Sequence, residues 1–193
     1  MISPNASDTI TRVCEALSNN NAAFASRILQ DEMPFAAHGI VNRNYPKHKV
    51  VALFVRDGFI DRYSGKRLLF SPALRLISSL IPEDFPYHLN WKTTECHAAY
   101  WNLSATLDHI VPVVRGGSND DSNLATTSMI RNNAKSNWTL EELGWRLLPP
   151  GNFENWDGML GWFCGYIEQH PGCETLKYAS SWYGAAKKVL ESR

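Results

Sequence analysis

The sequence predicts an α+β fold in which a small strand, loop, strand and helix unit is embedded in additional helices. Three observations carry this expectation. Residues 105–107 and 123–127 are short β-capable runs. A loop rich in Gly, Ser, Asn and Asp separates them, and the second run leads directly into a helix-capable stretch over 129–137. Across most of the remaining chain, apolar residues recur every three or four positions, the period of a helix with one buried face.

Ile10, Val13, Cys14 and Leu17 share one helical stripe over 8–17, with Ser7 or Asp8 available as the cap. Ser18 and the three asparagines after it break this helix. A second helix carries Phe24, Ile28 and Leu29 and runs to about residue 32, where Pro34 stops it. Neither stretch carries chemistry, and the N-terminal segment, 1–48, is expected to pack on the core, with dimerisation or contact with DNA as the alternatives. Residues 42–48 read as a loop, and 49–55, rich in Val, Leu and Phe, read as a strand. Asp57-Gly58 turns the chain into 59–65.

Ser71-Pro72 opens a helix over 73–80, with Leu74, Ile77 and Leu80 or Ile81 facing inward and Pro82 ending it. The stretch 83–103, with Phe85, Tyr87, Trp91, Tyr100 and Trp101, reads as an irregular connection packed over the core. His88 and the Cys96-His97 pair lack spaced partners and read as structural residues. The central unit is therefore 49–148, with an insertion at 71–103. Thr139 and Glu142 form a capping box expected to open a short helix, and Pro149-Pro150-Gly151 marks the end of the unit. The C-terminal extension, 149–193, holds two helical patterns. Trp156, Leu160, Phe163 and Ile167 recur over 155–169, and Leu176, Tyr183 and Leu190 recur over 174–191. An aromatic stripe at this spacing reads as core.

A chain of 193 residues with seven Trp and seven Tyr can bury a substantial core as one compact unit. Nothing in it approaches the roughly 18 to 20 apolar residues that cross a bilayer, and the N-terminus has no basic-then-apolar pattern. A cytoplasmic protein with no membrane partner is expected. The four cysteines form no CxxC pair, which points to reduced, mostly buried thiols. Net charge is zero, so bulk electrostatics give no argument for nucleic-acid binding.

The chemistry concentrates between Leu107 and Asn137. Asp108 and His109 stand side by side at a strand end, and an extended segment stiffened by Pro112 follows. Gly116-Gly117 allows the chain to reverse. Ser128 is positioned to cap the following helix, which carries Arg131, Asn132 and Lys135. If strand and helix face each other, the Asp108 carboxylate and the Asn132 amide can turn toward one cation. Two oxygen donors suit Mg²⁺, with Mn²⁺ as a substitute and most coordination left to water and phosphate. His109 would lie on the other side of the strand and is a suitable base for deprotonating a water.

These residues resemble the HNH (His-Asn-His/Asn) nuclease family, whose core is the ββα-metal motif. The resemblance rests on the Asp108-His109 pair, Ile110-x-Pro112, Gly116-Gly117, Asn123-Leu124 and Asn132-x-x-Lys135. Asn123 follows His109 by fourteen residues and Asn132 by twenty-three, the interval expected from the HNH domain of RNA-guided CRISPR nucleases. It covers roughly 56–138, less than half the chain. It implies that Asp108 and Asn132 ligate the metal, that His109 is the general base, and that Asn123 fixes the loop and orients His109 through its backbone. Lys135 would lie near the scissile phosphate, and Arg115 and Arg131 are the further candidate nucleic-acid contacts. Many members hold a structural zinc with two CxxC pairs, and the matching positions here are Asp61, Ser64, Ser128 and Arg131.

No structural zinc is therefore expected. Such a site contributes on the order of 10 kcal/mol to folding, so apolar burial by the flanking helices should compensate, with an Asp61–Arg131 ion pair across the vacated position. The expected activity is metal-dependent hydrolysis of DNA phosphodiesters, in a context such as restriction or phage defence. Cleavage of both strands would favour a homodimer. The alternative is a DNA-binding or assembly module that retains the fold without cutting.

Overall fold

The computed structural model describes residues 6–35, 45–173 and 176–193. The chain is α+β and divides into two compact units, 1–41 and 42–193. No helix among the described residues is long and apolar enough to cross a membrane.

The first unit is a helical hairpin of α1 (Ala6–Ser18) and α2 (Ala22–Glu32). Val13 and Ala16 pack on Ala25, Ile28 and Leu29, so Val13, Ile28 and Leu29 of the expected stripes face inward, whereas Ile10, Cys14, Leu17 and Phe24 are exposed. Asn21 caps α2 by accepting a hydrogen bond from the Phe24 amide, and Glu32 accepts from Thr9 and pairs with Arg12. The division between units falls at about residue 41 rather than 48.

In the second unit, α3 (Lys47–Arg56) replaces the strand expected at 49–55. Its β-branched composition suggests a strand, but Val50, Val51, Phe54 and Val55 also fall at three- and four-residue intervals, and α3 buries that stripe against the C-terminal helix. The expected loop at 42–48 lies partly outside the described residues; of its described part, Tyr45 and Pro46 are non-helical and Lys47 and His48 open α3. Residues 57–66 form a tight turn held by an isolated bridge between Ile60 and Arg67. Helix α4 (Ser71–Leu80) forms as expected, with Pro72 in its first turn. Ala73, Leu74 and Leu76 are its buried apolar positions, whereas Leu80 and Ile81 are exposed. The aromatic connection wraps Phe85, Tyr87 and Trp91 around Tyr100, which lies on the short α5 (Ala99–Leu103) against Leu74.

Strands β1 (Ala105–His109) and β2 (Leu124–Ser128) pair antiparallel, with Asp108 opposite Ala125 and His109 opposite Leu124. Helix α6 (Met129–Lys135) follows without a break. The capping box at Thr139 and Glu142 makes its reciprocal hydrogen bonds, yet it closes a single turn and no helix follows. Gly144 at a φ of +62° ends the turn. Helices α7 (Leu160–Gln169) and α8 (Lys177–Leu190) complete the fold.

The main core joins α3, α4, α7 and α8 to β1. Phe59, Phe70 and Phe163 are each 0% exposed, and burial of such side chains contributes about 1.5–3 kcal/mol apiece. Phe70 meets Phe163 and Trp182 edge to face, with ring centroids 5.2 and 5.7 Å apart. The C-terminal helices thus bury the back of β1.

Candidate active site

A cavity of about 510 Å³ opens beside β1. Asp108, His109 and Asn132 all line it, with Tyr45 and Lys47 at the start of α3, Pro72 on α4 and Trp182 on α8. Asp108 and His109 are only 8% and 9% exposed, so the cavity is their route to solvent.

Asp108 binds through one oxygen. Its Oδ2 accepts from the Tyr63 hydroxyl at 2.7 Å and pairs with Lys135 Nζ at 3.0 Å. Burial, and then the adjacent Asp108 charge, push the Tyr63 hydroxyl well above its ordinary value, so Tyr63 stays a donor. No described residue donates to Asp108 Oδ1. Asn132 is similarly half-engaged. Its Nδ2 donates to the Leu107 carbonyl at 3.0 Å and to Thr106 Oγ1 at 3.2 Å, which fixes the amide's orientation because only the nitrogen can donate. Asn132 Oδ1 then has no donor among the described residues. Two hard oxygen donors, one charged, therefore border one cavity. The described residues contain no group of three or more His, Cys, Asp or Glu suited to a metal, so a cation here would rest on one carboxylate and one amide.

Lys135 departs from expectation. The fully buried ammonium donates to the His109 carbonyl at 2.7 Å and pairs with Asp108, so it braces the strand end and does not reach toward a phosphate. Arg131 is also engaged internally, 3.7 Å from Asp61 Oδ2 and over the Trp145 ring at 5.3 Å. Arg115 pairs with Glu142 at 3.3 Å on the surface. The three candidate nucleic-acid contacts each have an acidic partner in the protein.

Asn123 fixes the loop. Its side chain accepts from the Val111 amide and donates to the Val111 and Ser118 carbonyls, while its backbone carbonyl accepts from Ile110. The two loop glycines serve different needs. Gly116 adopts a φ of +86°, whereas a Cβ at Gly117 would lie 1.8 Å from the Val111 carbonyl oxygen.

Three residues not singled out from the sequence contact the acid and the imidazole. Tyr63 holds Asp108. Tyr45 Oη and Asn119 Oδ1 lie 3.1 and 2.8 Å from His109 Nε2. Asn119 lies ten residues after His109, in the loop that follows Gly116-Gly117. Tyr45 precedes the recognisable motif and carries no local signal.

Ser128 occupies the N-cap position of α6, but its hydroxyl donates to Asp61 Oδ2 at 3.0 Å instead of capping the helix. Asp61 also accepts from the Ser128 and Tyr63 amides and the Thr127 hydroxyl. Cys14, Cys96, Cys164 and Cys173 are free thiols, and burial pushes Cys164 up to about 11. Compared with known proteins, the chain matches no family model, no curated protein and no solved structure.

Proposed function

We propose that this protein is a metal-dependent endonuclease of the HNH type, built on a ββα-metal core, that hydrolyses DNA phosphodiester bonds. The observation that carries the reading is the meeting of Asp108, Asn132 and His109 at one cavity, with one oxygen of each ligand candidate left without a donor among the described residues. Asp108 and Asn132 would hold a divalent cation, most simply Mg²⁺. When bound, that cation supplies charge stabilisation at the phosphate and the leaving oxygen.

His109 supplies the base. It takes a proton from a water whose oxygen attacks phosphorus, and the bond from phosphorus to the 3′-oxygen breaks. A solvent water protonates the leaving oxygen, and the products are a 5′-phosphate and a 3′-hydroxyl. Lys135 and Tyr63 fix Asp108 by engaging its Oδ2, which leaves Oδ1 without a donor among the described residues.

A nicking assay tests this. Supercoiled plasmid should be lost with Mg²⁺ or Mn²⁺ and retained with EDTA. His109→Ala should slow cleavage by about 10² to 10⁴ while circular dichroism stays unchanged. Wild-type rates in that variant would overturn the role of His109, and DNA that is retarded but intact would support a binding module instead.

A further inference from the structure

We propose that a basic cavity between α3, α4 and α8 holds a backbone phosphate of duplex DNA a few nucleotides from the scissile bond. The inference rests on the nuclease reading for the identity of the substrate, and on the lining of the cavity alone for its preference for an anion.

The cavity has a volume of about 720 Å³ and adjoins the one that Asp108 lines, since Lys47 borders both. Its polar lining consists of three cations, Lys47, Arg75 and Lys177, and three hydroxyls, those of Ser79, Tyr178 and Ser181. No Asp or Glu lines it. None of the three cations pairs with a carboxylate among the described residues. The contrast with the central motif is sharp, because Arg115, Arg131 and Lys135 each face an acid. In a chain of zero net charge, positive potential therefore gathers where the cations are left uncompensated, and three of them border this one concavity. Their mutual repulsion is relieved by an anion placed among them.

Two of the cations are held in place without being neutralised. Arg75 lies against two phenol rings, its guanidinium carbon 3.9 Å from the centroid of Tyr87 and 4.3 Å from that of Tyr178, and its Nη1 donates to Tyr87 Oη at 3.0 Å. Its other N–H groups have no hydrogen-bond partner among the described residues. A planar fork held this way suits two oxygens of one phosphate. Lys47 Nζ donates to the Ser181 hydroxyl and stands 5.4 Å from the Trp182 ring, and Ser181 in turn donates to the Tyr178 carbonyl. An ammonium has three donors, so Lys47 keeps protons for a ligand.

Position favours the polymer over a free anion. Ser71 and Pro72 of α4 line the first cavity, and Arg75 and Ser79, on the next two turns of the same helix, line the second. One turn advances about 5.4 Å, and a DNA strand rises about 3.4 Å per nucleotide. A strand that brings its scissile phosphate to Asp108 and Asn132 thus reaches Arg75 within a few nucleotides. Lys47 and α8 lie outside the residues that carry the resemblance, so this contact belongs to the helices added around the central unit.

The test measures binding of the full chain to a fluorescein-labelled DNA duplex in EDTA, so that metal-dependent cleavage is silent, over a series of salt concentrations. Lys47→Gln/Lys177→Gln changes two exposed side chains, and circular dichroism should match the wild type. The plot of log affinity against log salt should lose about 0.9 of slope per phosphate contact, or about 1.8 for the pair, which is roughly 60-fold weaker binding at about 0.1 M salt. Lys47→Arg/Lys177→Arg should keep the wild-type slope. So should Lys188→Gln, which removes an exposed charge near the far end of α8. An unchanged slope in the Gln pair would overturn the proposal, as would an equal loss in Lys188→Gln, which would make the effect one of bulk charge. Weaker binding of inorganic phosphate with duplex binding unaltered would assign the cavity to a free anion and overturn it too. A shallower slope in the Gln pair, beside a wild-type chain that nicks no plasmid in Mg²⁺, would remove the nuclease reading and leave the phosphate site standing.

Discussion

Replacing Lys135 by Met separates bracing from phosphate contact. Met keeps the length and apolar stem of the side chain but removes the ammonium, which is fully buried, 3.0 Å from Asp108 Oδ2 and 2.7 Å from the His109 carbonyl. Asp108 would then stand in a nearly buried site with Tyr63 as its remaining protein donor among the described residues. Removing one partner of a buried ion pair costs about 3–5 kcal/mol, because the other charge is stranded. For a domain of this size about 1 kcal/mol moves the midpoint by 2–4 °C, so thermal unfolding should fall by roughly 6–20 °C. Urea unfolding followed by tryptophan fluorescence gives the free-energy difference directly. Lys135→Met/Asp108→Asn should regain most of the loss, since no charge is then left unpaired. The salt dependence of DNA binding should not change, whereas losing one phosphate contact lowers the slope by about one. A stability loss below about 1 kcal/mol combined with that change of slope would refute the buried role and restore Lys135 to the phosphate.

Two further outcomes follow from the same polar framework. Asp57 is 0% exposed and accepts from Arg56, Arg62 and the Thr126 amide. Burial alone would raise its carboxyl, but the Arg56 and Thr126 hydrogen bonds outweigh it and hold the group below its ordinary 3.8. A depressed carboxyl gives stability that is present above the unfolded value and is lost as pH falls through the folded one. Wild-type stability should therefore decline below about pH 4, whereas Asp57→Asn should lose about 3 kcal/mol at neutral pH and show a shallower acid limb in urea titrations. Mg²⁺ at about a hundred times its Kd should stabilise the chain by about 2.7 kcal/mol, and Asn132→Ala should abolish that increment in a thermal melt. An unchanged increment would remove Asn132 as a ligand.

The parts of the fold visible in the sequence are those with short-range causes. Pro72 opening α4, the asparagines that end α1, and the apolar stripes of α7 and α8 depend on neighbours within a few residues. Misreadings came where distant partners decide. Val50, Val51 and Val55 favour a strand in isolation, but the sheet stops at two strands and α8 supplies an apolar surface for a helix. The site divides the same way. Asp108, His109, Asn123 and Asn132 are visible because their order and spacing are local to one unit. Tyr45, 64 residues before His109, reaches it only through the tertiary fold. Lys135 reads as a surface cation because a lysine is rarely fully buried, and nothing nearby in sequence announces that Asp108 will be its partner.

The four positions where the resemblance implies zinc ligands explain how the core stands without thiols. Asp61 takes the central place and draws on both later positions, accepting from the Ser128 backbone and hydroxyl and pairing with Arg131. One carboxylate thus links the 61–66 turn to the end of β2 and the start of α6. Ser64, the fourth position, is not drawn in, and its buried hydroxyl has no hydrogen-bond partner among the described residues. Hydrogen bonds to a charged group are worth about 1.5–3 kcal/mol each, far less than a structural zinc, so the carboxylate serves register more than stability. It sets where β2 ends and α6 begins, and thereby where Asn132 stands relative to Asp108. Apolar burial is supplied by α7 and α8, whose Leu160, Phe163 and Ala186 are fully buried in the core behind β1. A polar hub at Asp61 thus orients the turn, β2 and α6, while the apolar C-terminal extension supplies the burial behind β1.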